Sequence, residues 1–369
     1  MTSIQLKLVT TPARAGVPDV DEALYGIRRK IYPRAVIGVH ARWRWTIMLA
    51  TQAAFYGLPW LEWNARQAVL LDHAARKLYL FGLVLWPQDA IYLAVLAVIA
   101  VLSLFLFTAV AGRLWCGYTC PQTVYTEIFM WIERNIEGDR LARIRMDAAP
   151  MSLAKFARKS AKHAAWMLLA LWTGLTFVGY FVPIRSLTHT AAMMQPGAWE
   201  SFWIVLYGLA TYGNAGWMRE RVCKHVCAYA RLQGVMFDRD TLIVGYDPGR
   251  GEPRGERSCQ ADPRAAGLGD CVDCGVCVQV CPTAIDIRDG LQYECIGCTA
   301  CIDGCDAVMA KMGYPPGLIR YDTANGLDRR LPFRWKLRRV LRPRTITCAA
   351  ALIAIVAGLT FSLVSRQPL

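Results

Sequence analysis

Five apolar runs, 45–61, 89–112, 163–182, 199–217 and 345–364, punctuate a chain that is otherwise mixed in polarity. Each is close to the ~20 residues that an α-helix needs to cross a hydrocarbon core. The stretch 90–111 carries no charged residue over 22 positions and is the clearest of the five. The run 45–61 is shorter, and Trp43, Trp45, Trp60 and Trp63 at its ends read as interfacial anchors. A long polar-containing stretch precedes this first run, so it is not expected to act as a cleavable signal sequence. The pattern predicts an α-helical integral membrane protein with five transmembrane helices and a soluble segment inserted between the fourth and fifth.

Charge orients the spans. Of the 42 Lys and Arg residues, 37 lie in 1–44, 113–162 and 218–344, and 5 in 62–88, 183–198 and 365–369. Basic residues are retained on the cytoplasmic side, so the N-terminus and the 218–344 segment are expected in the cytoplasm and the C-terminus outside. The basic stretch 334–344 beside the last run supports the same orientation. The net charge of +14 therefore has a membrane explanation, and no nucleic-acid partner is inferred from it. A composition that is 55% hydrophobic and 19% charged agrees with partition into a bilayer. The chain divides into a cytoplasmic N-terminal segment (1–44), a four-helix membrane domain (45–240), a cytoplasmic α+β domain (241–333), and a basic flank with the fifth helix (334–369).

The soluble segment carries the densest chemistry. It opens with a β-like run, 241–246, and a Gly/Pro/Arg stretch, 248–267, that reads as a flexible loop. Two cysteine runs of one rhythm follow: Cys271, Cys274, Cys277 and Cys281 before Pro282, then Cys295, Cys298, Cys301 and Cys305. The spacing C-x2-C-x2-C-x3-C is that of bacterial ferredoxins, in which the fourth cysteine of each run binds the other run's cluster. One 4Fe–4S cluster is thus assigned to Cys271, Cys274, Cys277 and Cys305, the other to Cys295, Cys298, Cys301 and Cys281. Asp306, where the motif usually has Pro, removes no ligand. Zinc would call for paired C-x2-C knuckles instead. Small ferredoxin units have little apolar core, so the clusters are expected to hold the fold.

Two further pairs stand at the cytoplasmic ends of the second and fourth runs: Cys116 with Cys120, and Cys223 with Cys227. Both are C-x3-C, which makes a weak internal repeat. Pro121 places Cys120 at the N-cap of a helix over 121–136, where a thiol is expected to ionise more readily. Four thiolates brought together by the repeat could hold soft Cu(I) or cycle between dithiol and disulfide. The plainer alternative is small packing residues at helix ends. Cys348 and Cys259 receive that plainer reading, and Met193 and Met194 that of interface packing. His225 is open between an added ligand and a surface residue. Glu127 and Glu133 point in different directions on a helix; Glu133 reads as part of a solvated helix end. Paired membrane histidines for haem and a dinucleotide fingerprint are both lacking. A quinone pocket near Trp131 or His163 is conceivable, but the residues do not specify one.

The string GRLWCGYTCPQTVYTEIFMWIERNIEGDR at 112–140 closely resembles the cytochrome c oxidase accessory protein CcoG family, also called FixG or RdxA. So do RQAVLLDHAARKLYLFGLVLWPQD at 66–89, CKHVCAYARLQGVMFDRDTLIVGYDPGRGEPRG at 223–255 and the double cysteine run, and the likeness extends over about residues 25–365. The resemblance implies a bacterial inner-membrane protein that assists assembly of cbb3-type cytochrome oxidase by reducing Cu(II) to Cu(I). It implies that all eight ferredoxin cysteines are cluster ligands, and that Cys116, Cys120, Cys223 and Cys227 are relevant to copper. Members of the family continue into an outer β-sandwich domain. The sequence ends at Leu369, which reads as a truncated form or as one that dispenses with that domain.

Three functions compete. The first is a cupric reductase, in which a soluble donor feeds the clusters and copper, free or on a chaperone, is reduced at the membrane thiols. The second is a quinol-linked electron-transfer subunit of a respiratory complex. The third is a non-catalytic assembly scaffold. A homodimer would shorten distances between clusters.

Overall fold

The computed structural model describes residues 30–73, 75–257, 267–329 and 342–365. Cys259, most of the 334–344 basic stretch and the first 29 residues lie outside the described residues. Helices stand at all five apolar runs: α1 (Val39–Gly57), α2 (Ala90–Ala111), α4 (Leu153–Val178), α5 (Ala198–Tyr212) and α8 (Pro343–Val364). Between them lie α3 (Pro121–Glu137), α6 (Ala228–Met236) and α7 (Ala300–Met312). Among the described residues, two helices are long and apolar enough to cross a bilayer: 87–111, mean hydropathy 2.9, and 343–364, mean hydropathy 2.3. They pack on each other, with the Tyr92 hydroxyl 2.9 Å from Ser362 Oγ.

The helix ends differ from the apolar runs for local reasons. α4 begins at Leu153, ten residues before its run, because Ser152 caps it by accepting the Lys155 amide at 3.2 Å. α1 begins at Val39, and no side chain of its own caps it. The cap comes from the cysteine-rich segment instead: the Asp303 carboxylate accepts the amides of His40 at 3.3 Å and Ala41 at 2.7 Å. A carboxylate at a helix N-terminus satisfies orphan amides and complements the helix dipole. At its other end α1 closes in a single turn, Leu58–Trp60, with Pro59 inside it.

The stretch between α1 and α2 forms a small antiparallel sheet. β1 (Val69–Asp72) pairs with β2 (Lys77–Leu80), and β2 with β3 (Leu83–Leu85). Gln67 ties this sheet to the bundle, since its amide group donates to Gly179 O at 2.7 Å and accepts from the Ile184 amide at 3.0 Å.

In the cysteine-rich domain, β4 (Leu242–Tyr246) pairs antiparallel with β5 (Ile319–Thr323), with Val244 opposite Tyr321. An apolar core runs from Val244 and Tyr246 through Ile302 and Met309 to Leu318, and it includes Cys271 and Cys277. The domain thus has more packed apolar side chains than its cysteine spacing predicts. The expected flexible loop is ordered over its first part. Arg250 Nε lies 2.5 Å from Asp270, Arg257 Nε donates to Tyr314 at 3.1 Å, and Tyr246 donates to Glu252 at 3.1 Å. Residues 258–266 of that stretch lie outside the described residues.

The bundle below the thiol pairs is tied by buried charge, which corrects the reading of Glu133 as solvated. Glu133 and Glu137 are i and i+4 on α3, so they share a face. Glu133 meets Arg219 at 2.9 Å and Arg143 at 3.2 Å, while Glu137 meets Lys162 at 2.9 Å and Lys159 at 3.0 Å. Both carboxylates are fully buried, as are Arg143 and Lys162. Removing one partner of such a network strands the remaining charge in a low-dielectric setting. Glu133→Ala is therefore expected to cost about 3–5 kcal/mol of stability. Asp328→Ala, which breaks an exposed pair with Arg239, should change little. Thermal unfolding in one detergent compares the two; equal midpoints would show that the buried network contributes nothing.

Candidate electron-transfer site

The eight ferredoxin cysteines gather at two small hollows. Cys271, Cys274, Cys277 and Cys305 line one, against Met309 and Leu318. Cys281, Cys295, Cys298 and Cys301 line the other, against Ile285 and Ile287. Cys277 borders both. The two sets arise from the chain's path. Residues 276–279 and α7 lie side by side, which brings the last cysteine of each run to the opposite hollow. Two left-handed residues, Gly275 (φ 64°) and Thr299 (φ 60°), turn the chain into those helices. Four soft sulfur donors at each hollow fit an iron–sulfur cube. Burial pushes the Cys298 and Cys305 thiols up to about 12 and Cys277 up to about 11, so metal binding must displace their protons.

The two C-x3-C pairs repeat each other in three dimensions. Cys120 (φ −56°, ψ 125°) is the N-cap of α3, and Cys227 (φ −72°, ψ 108°) is the N-cap of α6. Cys116 lies on a short helix, Leu114–Tyr118, and Cys223 on a π-helical turn, Val222–Val226. Each half braces the other. Gln122, at the start of α3, donates to Asn214 O at 2.9 Å and Arg219 O at 3.1 Å, just ahead of Cys223. Cys116 Sγ lies 3.5 Å from Gln233 Oε1 on α6.

Burial and neighbouring thiols raise the pKa of Cys116, Cys120 and Cys223. Burial first, then the neighbouring Cys120, push the Cys116 thiol up to about 12. Burial, with Cys120 and Cys227 adding to it, pushes Cys223 up to about 11. Cys120 overturns the expectation of easier ionisation: burial raises it, and the amides of Gln122 and Thr123 at the helix start offset only part of that. Among the described residues, no three His, Cys, Asp or Glu side chains stand together as ligands to a single ion. His225 is exposed, as are Met193 and Met194.

Sequence reasoning missed how directly the membrane pairs meet the ferredoxin domain. Gly117, between Cys116 and Cys120, lies against Gly297 and Cys298; a Cβ there would stand 2.7 Å from Gly297 O and 2.9 Å from Cys298 Cα. The Tyr118 hydroxyl is 2.7 Å from Thr299 Oγ1. Arg113 is buried at the same seam. It donates to Cys295 O at 2.9 Å, to Ala230 O at 3.0 Å and to Tyr293 O. Burial raises the thiol pKa of Cys116, Cys223 and Cys295, and the Arg113 guanidinium offsets part of that at all three, so one fixed positive charge stands among both sets of thiols. Glycine in the first pair is the one sequence signal that could have marked this contact, because only a residue without a side chain lets two backbones approach so closely.

The chain's resemblances agree with this division. Residues 218–324 match a 4Fe-4S dicluster domain family, and residues 93–137, which hold the first C-x3-C pair, match a 4Fe-4S binding domain family. The chain is 40% identical to the nitrogen fixation protein FixG of Rhizobium meliloti, over 94% of this chain and 72% of that protein. It is 41% identical to protein RdxA of Cereibacter sphaeroides over 82% of this chain and 64% of that protein. It is 39% identical to protein RdxB of the same organism over 95% of this chain and 76% of that protein. No solved structure matches.

Proposed function

The chain belongs to the FixG/RdxA (CcoG) family, an iron–sulfur electron-transfer family, and on that premise we propose that it reduces Cu(II) to Cu(I) at a membrane surface. The observation that supports the reading is the backbone contact of Gly117 with Gly297 and Cys298, which brings the segment of the half-buried Cys116 and Cys120 against the loop of Cys298. Cys271, Cys274, Cys277 and Cys305 would hold one cluster, and Cys281, Cys295, Cys298 and Cys301 the other. When bound, the clusters supply single electrons.

Cu(II) is the substrate, and the two thiol pairs, Cys116 with Cys120 and Cys223 with Cys227, would receive it, each pair supplying two soft donors. Sulfur ligands favour Cu(I) over Cu(II), so the site draws the reduction forward. Burial pushes the Cys116 thiol up to about 12 and Cys223 up to about 11, so a metal bound there must displace their protons. Arg113 holds the two thiol regions in register through its carbonyl contacts.

Five helices across a bacterial inner membrane fit the basic-residue distribution, with the ferredoxin domain cytoplasmic and the C-terminus periplasmic. The Cu(I) product would pass to copper carriers that serve assembly of a cbb3-type oxidase. The test is direct: dithionite-reduced protein, freed of dithionite, is mixed with Cu(II) and a Cu(I)-specific chelator. One chelated Cu(I) should appear per electron lost from the clusters. Clusters that stay reduced would remove copper as the acceptor.

A further inference from the structure

The reading above leaves open where electrons enter. A hollow of about 750 Å³ borders the second cluster site, with Cys298 and Pro282 in its lining and none of the four membrane-side thiols. Its volume is within the range of small-molecule sites, roughly 300–1,000 Å³. Its lining is of two chemical kinds. Trp45 and Leu49 on α1, with Met130 and Trp131 on α3, make the apolar part. Leu49 is 60% exposed and Trp131 45% exposed, so this part is continuous with the outer apolar surface of α1, which the sequence places at the bilayer. The polar part of the lining is the Arg44–Glu127 ion pair, with Arg34, Arg42 and Arg134 adding positive charge.

That ion pair couples the hollow to the cluster site. Arg44 is buried, and its Nη1 donates to Cys298 O at 3.5 Å while another of its nitrogens meets Glu127. A carboxylate able to take a proton thus stands beside an electron acceptor, joined to it through one guanidinium. A phosphate-bearing cofactor would look for free helix-terminal amides. The α1 N-terminus borders the hollow at Gly38 and Ala41, but the Asp303 carboxylate already occupies its first amides. The alternative position considered from the sequence is filled: His163 stacks on Trp217 at 5.8 Å and bonds the Tyr212 hydroxyl at 2.9 Å.

We propose that this hollow binds a membrane hydroquinone, oxidised there with Glu127 as proton acceptor and the cluster site at Cys298 as electron acceptor. The hydroquinone loses two O–H protons and two electrons and leaves as the quinone. Glu127 takes each proton in turn and passes it to water. With clusters held by the two cysteine sets, the electrons would leave singly through the Cys298 site, one to be stored at each cluster. Protonation of Glu127 frees the charge of Arg44 to offset the electron gained beside it. The onward fate of the electrons rests on the copper reading; the binding and oxidation of the hydroquinone do not.

The test uses the full chain with both clusters, in lipid nanodiscs. The first probe is a fluorescent heptyl-hydroxyquinoline N-oxide, a quinol analogue whose emission is quenched on binding. One molecule should bind per chain, and Leu49→Trp, which fills the apolar part, should weaken binding at least about tenfold. Met130→Trp is a second blocking variant should the first lose its dithionite-reduced EPR signal. The second probe is reduced decyl-ubiquinone, which should generate that EPR signal without dithionite, and more slowly in Glu127→Gln. No quenching, or binding unaffected by both tryptophans, overturns the proposal, as does cluster reduction by a flavin that binds in the hollow where the quinol does not. If the quinol reduces the clusters but Cu(II) does not reoxidise them, the hydroquinone site stands and the copper reading falls. If dithionite-reduced clusters pass electrons to Cu(II) but the quinol never reduces them, the reverse holds.

Discussion

Changing Cys116 and Cys120 together to serine is expected to abolish reoxidation of the reduced clusters by Cu(II), while both iron–sulfur EPR signals persist. The separation follows from geometry. Neither residue lines the hollows of the ferredoxin cysteines, so cluster binding should be left intact. Both belong to the first thiol pair, and the charge of Cys120 adds to burial in raising Cys116 and Cys223. Serine keeps the size and the N-cap role at position 120, since a hydroxyl serves a helix start well. It removes the soft donor, so Cu(I) loses the ligation that favours it. Cys223→Ser with Cys227→Ser should reproduce the result, because the second pair supplies the other two soft donors. The measurement is stopped-flow absorbance of the clusters after Cu(II) is added, with iron content and EPR on the same samples. Undiminished copper turnover in either double variant would take that thiol pair out of the mechanism.

The second large effect is expected from a residue with no chemistry of its own. Gly117→Val should slow electron transfer to copper severely without removing any ligand. Its Cβ would meet Gly297 O at 2.7 Å and Cys298 Cα at 2.9 Å, and both are backbone atoms that cannot rotate aside. Overpacking of this kind costs about 1–3 kcal/mol even where side chains can yield. Relief requires the Cys116–Cys120 segment and the 297–299 loop to part, which also strains the Tyr118–Thr299 contact. The expected signature is normal iron content, an intact dithionite EPR signal, and slowed reoxidation by Cu(II). Rates equal to those of the parent protein would show that this seam is not the route. Gly358→Val, in α8 with open space around its Cβ position, is the control for a glycine without such a contact.

The cysteine rhythm was legible because cluster ligation constrains spacing along the chain: the C-x2-C-x2-C-x3-C runs already imply two interleaved sets, and each set lines its own hollow. Apolar runs were legible for a similar reason, since a helix stands at each of the five. The Cys120 N-cap could be read from Pro121 alone, whose fixed φ suits a first helical position. What could not be read locally were energies that depend on surroundings. The ease with which Cys120 ionises was expected from its helix, but burial outweighs the helix amides. Glu133 looked solvated because it sits near a helix end, whereas its partners come from three other segments, at Arg143, Lys162 and Arg219. The cap on α1 belongs to Asp303, far along the chain, and no local rule could supply it.

The sequence by itself therefore determined the inventory: two runs of cluster-type cysteines, two matching thiol pairs at helix ends, apolar helices between them, and the family. These are properties of spacing and composition, which the chain carries before it folds. Only the tertiary structure decided adjacency. It set Gly117 on the Gly297–Cys298 backbone, put Arg113 among both sets of thiols, and left a hollow beside Cys298 with a carboxylate in its wall. Contact between residues some 180 positions apart depends on how helices pack and which side chains are small enough to allow it, and no local pattern encodes that.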